Sequence, residues 1–177
     1  PQKSAKQRQQ EKQKKEAERK RQAEEEKKIR AQATKDGKDA DKAELQRMMG
    51  LREEPHVPIV AIVSRLVSHK GLDLICEVLH DMMELPMQLV ILGKGDRKYE
   101  EFFHWAAQQY HGRMAVRLDY NESLSMAIYS GADLFLMPSK SEPCGLSQMI
   151  AMRYGAVPIA RETGGLKGND KPYKDRK

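Results

Sequence analysis

Cysteine is scarce in this 177-residue chain: Cys76 and Cys144 stand far apart, with no metal-ligand spacing around either. That rules out a disulfide scaffold, offers no zinc site and favours a reducing compartment. No apolar run approaches the roughly 20 residues of a membrane-spanning helix. The start has neither a methionine nor the apolar core of a secretion signal, and Pro1 reads as the first residue of a processed chain or an excised piece. Excess positive charge is missing from most of the chain. Residues 1–42 hold 15 Lys/Arg against 9 Asp/Glu, which accounts for the whole net charge of +6, and residues 43–177 carry 17 of each sign. The basic balance is a property of the first segment, so nucleic acid is not the expected partner of the rest.

That first segment also lacks large aliphatic side chains, apart from Ile29. Glu11 and Lys15, Glu16 and Lys20, and Glu24 and Lys28 stand four apart in the order that supports a helix, each pair by about 0.2–0.5 kcal/mol. Without an apolar stripe no coiled coil is expected. Residues 1–41 therefore read as a charged helical or disordered arm, either simply solvated or directed at an acidic partner. Gly37 and its small polar neighbours mark a boundary, and residues 42–49 read as a short helix ended by Gly50. Beyond it the pattern alternates. Strands are predicted at 59–66, 87–92, 114–118, 133–137 and 156–160, and helices at 72–83, 99–110, 122–130 and 146–154. Continuous apolar strands between helices of about three turns predict a parallel sheet buried on both faces. Right-handed crossovers make this a doubly wound, Rossmann-like α/β domain over residues 42–167, with a polar tail at 168–177.

The chemistry gathers between Met137 and Leu166. The fourth predicted strand stops at Pro138-Ser139, and Glu142, Pro143, Cys144 and Gly145 form a turn that opens a helix, whose free N–H groups and dipole suit an anion. Gly155 closes that helix, and Thr163-Gly164-Gly165 follows the next strand at once, where glycines let backbone amides approach an anion closely. Two adjacent strand ends with such loops form a crevice for a phosphorylated ligand at the carboxyl edge of the sheet.

Other loops offer candidates with a plainer reading beside each. The first strand ends in Ser64-Arg65-Leu66, and Lys70-Gly71 opens the next helix, with no G-x-G-x-x-G between them. Arg65 can clamp phosphate oxygens bidentately and Lys70 can add a point charge, or both are surface cations on a loop. Gly93-Lys94-Gly95-Asp96 is equally a turn that starts a helix, with Asp96 near its cap. Tyr120 either stacks on a nucleobase or packs against protein. Glu142 either accepts sugar hydroxyls or caps a helix. Cys144 reads as a small lining residue, because His69 is the one histidine of five in these loops and no spacing pairs the two.

In order along the chain stand Ser64-Arg65-Leu66 with Lys70-Gly71-Leu72-Asp73, Leu92-Gly93 with Gly95-Asp96, and Tyr129-Ser130-Gly131-Ala132-Asp133. Met137-Pro138-Ser139, Glu142-Pro143-Cys144-Gly145-Leu146 with Gln148, and Thr163-Gly164-Gly165-Leu166 follow. From about Lys42 to Lys167 this set resembles the bacterial glycogen synthase and plant starch synthase family, and together the motifs are highly specific. The resemblance implies the carboxyl-terminal, nucleotide-sugar-binding lobe of a two-lobed GT-B glycosyltransferase. It implies transfer of glucose from ADP-glucose to the nonreducing end of an α-1,4-glucan with retention at the anomeric carbon, no metal, and a bacterial cytoplasm or plastid stroma. By the same resemblance the catalytic positions are Arg65, Lys70 and Glu142. Arg65 and Lys70 hold the diphosphate, aided by amides of Gly164, Gly165 and Leu166 beside Thr163, and Glu142 holds glucose hydroxyls. Cys144, Gly145 and Leu146 line the sugar pocket, and Tyr120 stacks on adenine.

The departures bear on activity. Nothing here corresponds to the family's amino-terminal lobe, so the acceptor side is not represented and no turnover by the chain alone is expected. A second glutamate eight positions after the first is common in related enzymes, and here that position is Ile150. Gly168-Asn169-Asp170 and the charged arm match nothing in the family pattern. Two alternatives stay open: a non-catalytic nucleotide-sugar-binding or regulatory module, and a GT-B relative that uses UDP-glucose. A sheet cut short leaves an open edge, so self-association is expected.

Overall fold

The computed structural model describes residues 36–142 and 144–161. Pro143, the arm up to residue 35 and the segment from Glu162 onward, with the Thr163-Gly164-Gly165-Leu166 motif, lie outside the described residues. Contacts divide the chain into two units, Pro1–Gly37 and Lys38–Lys177. In the second unit residues 38–49 are helical and form α1. Five strands follow, β1 (Ile59–Val63), β2 (Gln88–Leu92), β3 (Met114–Arg117), β4 (Leu134–Met137) and β5 (Val157–Ala160). Between them run α2 (Leu72–Glu84), α3 (Arg97–Gln109), α4 (Glu122–Gly131) and α5 (Leu146–Arg153). Among the described residues no helix is long and apolar enough to cross a membrane.

All strand pairs are parallel and the sheet order is β3-β2-β1-β4-β5. Alternate residues of a strand face opposite sides, and β1 supplies both cores. Ile59 and Ala61 pack with Leu45 and Met49 of α1, Ile128 of α4 and Ala151 of α5. Val60 and Ile62 pack with Leu72, Ile75 and Leu79 of α2 and Phe103 of α3. The chain builds outward from β1 to β3 and then returns to place β4 on the other side of β1. The carboxyl ends of β1 and β4 therefore flank the switch point, where open α/β sheets bind ligands.

Three expectations about this architecture change. β1 ends at Val63, so Ser64, Arg65 and Leu66 are loop, with Leu66 returning for one bridge to Gly95. The first helix begins before residue 42. The fifth strand is not buried on both faces: Val157 is 59% and Ile159 47% exposed. The reason is position. Among the described residues β5 pairs with β4 alone, so apolar composition there marks an open edge, a surface suited to pairing with another strand.

The early start of α1 has a purpose that residue types did not reveal. Lys38 Nζ donates to the Ala132 carbonyl at 2.5 Å and the Tyr154 carbonyl at 3.2 Å, the groups that close α4 and α5. A cation there meets the negative ends of two helix dipoles, although burial still lowers its pKa. Lys42 Nζ pairs with Asp133 Oδ2 at 2.8 Å, and that oxygen also accepts the Ile59 N–H at 2.8 Å. Gln46 Nε2 donates to Gln88 Oε1 at 2.8 Å, and Gln88 Nε2 to the Arg52 carbonyl at 2.7 Å. The polar side of α1 thus ties together the starts of β1, β2 and β4. Lys42→Ala is expected to lower unfolding stability by about 2 kcal/mol, because Asp133 loses its counter-charge in a partly buried site. Guanidinium unfolding of the two proteins measures this, and an unchanged midpoint would show the tie to be idle.

Candidate functional site

Close backbone contacts bring three loops to the switch point. The glycines after β2 are required by protein rather than by ligand: a Cβ on Gly93 would lie 1.8 Å from the Ser64 carbonyl oxygen, and one on Gly95 2.3 Å from that of Leu66. The Leu66 N–H donates to the Lys94 carbonyl at 3.0 Å and the Asp96 N–H to the Leu66 carbonyl at 2.7 Å. Asp96 does sit at the cap of α3, but its side chain makes no capping bond; the Gly95 N–H is taken by Glu100 Oε1 at 2.8 Å.

The loop after β4 crosses the start of α2. Gly71, at φ 71°, would place a Cβ 2.0 Å from the Pro138 carbonyl oxygen. The Lys140 N–H donates to the His69 carbonyl at 2.9 Å, and Lys140 Nζ binds Asp73 Oδ2 at 2.5 Å. That ammonium holds the Asp73 carboxyl below its ordinary pKa. Lys70 and Glu142, read separately from the sequence, are brought into contact: Nζ and Oε2 are 2.5 Å apart, and the side chains are 17% and 12% exposed. The hydroxyl of buried Ser139 stands 3.4 Å from the same carboxylate oxygen.

Two cavities open here and share Val63, Ser64, Arg65 and Ser147. The smaller, about 170 Å³, is bordered by Lys70, Ser139 and Glu142. The larger, about 650 Å³, is bordered by Lys94, Asp119, Tyr120, Glu122, Tyr129 and Ile150. Arg65 is exposed at the seam between them. Tyr120, 93% exposed, stands just before α4, whose start is fixed by Asn121 Oδ1 accepting the Leu124 N–H at 2.9 Å. An exposed ring held by a capped helix offers a free face for stacking. Among the described residues the ring is not packed into protein.

The remaining expected residues are distributed unevenly. Leu146 borders the larger cavity and is 61% exposed. Gly145 is buried at φ 69° and starts α5, and Cys144 is exposed; neither borders these two cavities. Ser64, Lys94, Glu122, Tyr129, Ser139 and Ser147 belong to the site and carried no signal of their own as site residues. Tyr129 is buried against Phe135, with ring centroids 5.3 Å apart, and its hydroxyl bonds to Ser147. Burial raises its pKa. The other cysteine, Cys76, lies on α2 away from these cavities, with desolvation and the nearby Asp73 carboxylate pushing its thiol up to about 11.

Several known proteins are similar to this chain in sequence and fold. The family described as glycosyl transferases group 1 matches residues 45–174. Glycogen synthase from Geobacillus thermodenitrificans is 51% identical over 142 residues, 80% of this chain and 29% of the relative. Glycogen synthase from Clostridium acetobutylicum is 51% identical over 136 residues, 77% of this chain and 28% of the relative. The chain thus spans less than a third of the length of these curated relatives. Among solved structures, the catalytic domain of starch synthase IV from Arabidopsis thaliana bound to ADP and acarbose superposes with a TM-score of 0.73 at 41% identity, covering 78% of this chain and 29% of that one. HepE from Anabaena, in complex with UDP and glucose, shares the fold at a TM-score of 0.59 and 19% identity, covering 75% of this chain and 36% of that one.

Proposed function

The chain belongs to the glycosyl transferases group 1 family, and from that premise we propose that it is the donor-binding half of a retaining glucosyltransferase. In this reading glucose moves from ADP-glucose to the nonreducing end of an α-1,4-glucan. The observation that carries it is Arg65, placed between a small pocket bordered by Lys70 and Glu142 and a larger cleft beside Tyr120. A nucleotide sugar has the same three parts in the same order. Glucose hydroxyls go to Glu142, the diphosphate to Arg65 and Lys70, and adenine to the Tyr120 face. The cavities do not support the sugar-lining expectation for Cys144, Gly145 and Leu146: Leu146 borders the larger cleft and the other two border neither cavity. The amides of Gly164, Gly165 and Leu166, following Thr163, are proposed to join the diphosphate contacts.

The chemistry follows from charge. As the bond from the anomeric carbon to the diphosphate oxygen breaks, negative charge grows on the departing nucleotide. A guanidinium and an ammonium placed beforehand stabilise that charge more than they stabilise the intact donor. Two side-chain cations supply this, and no metal is proposed. Turnover also needs an acceptor hydroxyl held close to the anomeric carbon on the face that the diphosphate leaves, and that role is assigned to an amino-terminal lobe outside these 177 residues; proximity of donor and acceptor contributes a large part of the barrier reduction.

Nucleotide preference tests the base and the donor together. In competition against bound ADP, ADP-glucose should displace it more readily than UDP-glucose. Tyr120→Ala should weaken ADP binding about tenfold, since stacking of one base is worth about 1–3 kcal/mol. Equal displacement by both sugars with no effect of Tyr120→Ala would remove adenine from the cleft.

A further inference from the structure

Lys70 and Glu142 are the most withdrawn charged pair at the switch point, and they face each other at 2.5 Å. Under the donor reading they serve different parts of one ligand, the ammonium the diphosphate and the carboxylate the sugar. Neither can serve its part without consequence for the other. A diphosphate that engages Lys70 competes with Glu142 for the ammonium's three N–H donors and sets a second anion beside the carboxylate. A carboxylate accepts hydrogen bonds and donates none, and one that is 12% exposed is strongly disfavoured without a partner. The Ser139 hydroxyl, at 3.4 Å, is too distant to replace an ammonium. A nucleotide sugar brings new donors, the hexose hydroxyls, to that carboxylate. A bare nucleoside diphosphate brings none.

We infer that Glu142 discriminates between the sugar nucleotide and the bare nucleoside diphosphate, by withholding Lys70 from any diphosphate that does not bring a hexose to replace the ammonium. This rests on the donor-site reading of Arg65, Lys70 and Glu142. It also gives release a direction: once glucose has left, the carboxylate loses its hydroxyl partners, reclaims Lys70 and weakens the hold on the departing nucleotide. Glu142 thereby acts on specificity through Lys70 as well as by touching the sugar.

Calorimetric titration of the 177-residue chain with ADP and with ADP-glucose, as wild type and as Glu142→Gln, tests this. The variant keeps the shape of the side chain and removes its charge. Its ADP affinity should rise and its ADP-glucose affinity fall, moving the ratio of the two dissociation constants by at least about tenfold, the worth of one charge-assisted hydrogen bond. Glu142→Asp, whose shorter carboxylate withdraws from Lys70, should raise ADP affinity as well, and it serves if the glutamine variant does not fold. If both affinities fall alike in the variants, the inference is overturned and the donor site stands. If the wild type takes up neither ligand, the donor site itself fails and the inference falls with it.

Discussion

Gly71→Ala is expected to destabilise the chain by about 3 kcal/mol or more. Two separate penalties meet there. At φ 71° a residue with a Cβ sits in the left-handed region, at roughly 1–2 kcal/mol. The same Cβ would lie 2.0 Å from the Pro138 carbonyl oxygen and 2.7 Å from its carbon, and these are backbone atoms with no side-chain freedom to yield. Gly155→Ala is the control, with φ 83° and nothing within 4 Å of the added carbon, so it should carry the conformational penalty alone. Guanidinium unfolding of both variants separates strain from collision. Equal losses would mean that the crossing of Pro138 over Gly71 contributes nothing. A larger loss for Gly71→Ala should also bring weaker nucleotide binding, because the displaced loop carries Ser139 and Glu142.

Arg65→Ala combined with Lys70→Ala should abolish measurable ADP binding. A hydrogen bond to a charged group is worth about 1.5–3 kcal/mol, so each substitution should weaken binding between tenfold and somewhat more than a hundredfold. The two are not equivalent. Arg65 is exposed and its loss removes a bidentate clamp, which Arg65→Lys should restore only in part. Loss of Lys70 removes a cation and leaves the Glu142 carboxylate unpaired beside the phosphates. Lys70→Ala should therefore weaken ADP more than Arg65→Ala does, and lower stability as well, whereas Arg65→Ala should leave stability within about 0.5 kcal/mol of wild type. Calorimetry for affinity and denaturation for stability tell these effects apart. ADP affinity that ignores both substitutions would place the diphosphate elsewhere.

How far such residues could be read in advance depended on whether their partners lay nearby in the chain. β2 was legible because residues 89–92 are a short apolar run, fully buried and set in the chain between two helices of plain amphipathic pattern. The end of β4 was legible from its apolar run before Pro138, whereas β1 was read three residues too long, so that Ser64, Arg65 and Leu66 proved to be loop; the neighbourhood of Arg65, Lys70, Tyr120 and Glu142 was legible all the same. β5 misled because Val157 and Ile159 have the composition of core, while exposure there is decided by the lack of a neighbouring strand among the described residues. The glycine at position 71 looked like a helix start, and its need for Pro138 depends on a contact distant in the chain. The Lys70–Glu142 pair and the tie of Lys38, Lys42 and Gln46 to the sheet are of the same kind. Charged and amide side chains in a hydrophilic stretch look solvated until the elements that bury them are placed. Ser147 escaped notice, and Tyr129 stood in a family motif without a site role, because a hydroxyl at the start of α5 and an aromatic in α4 acquire one only where the two helices meet at the cleft.

The donor-site account is tested most directly by recording backbone amide resonances of the chain while ADP is added. It predicts saturable shifts concentrated at residues 64–71, 93–96, 119–122 and 139–147, around the carboxyl ends of β1, β2, β3 and β4, and at the proposed amide contacts of Gly164, Gly165 and Leu166, with little change along α1 or the outer face of α3. Saturable shifts centred away from these segments, or no shifts at millimolar ADP, would contradict it.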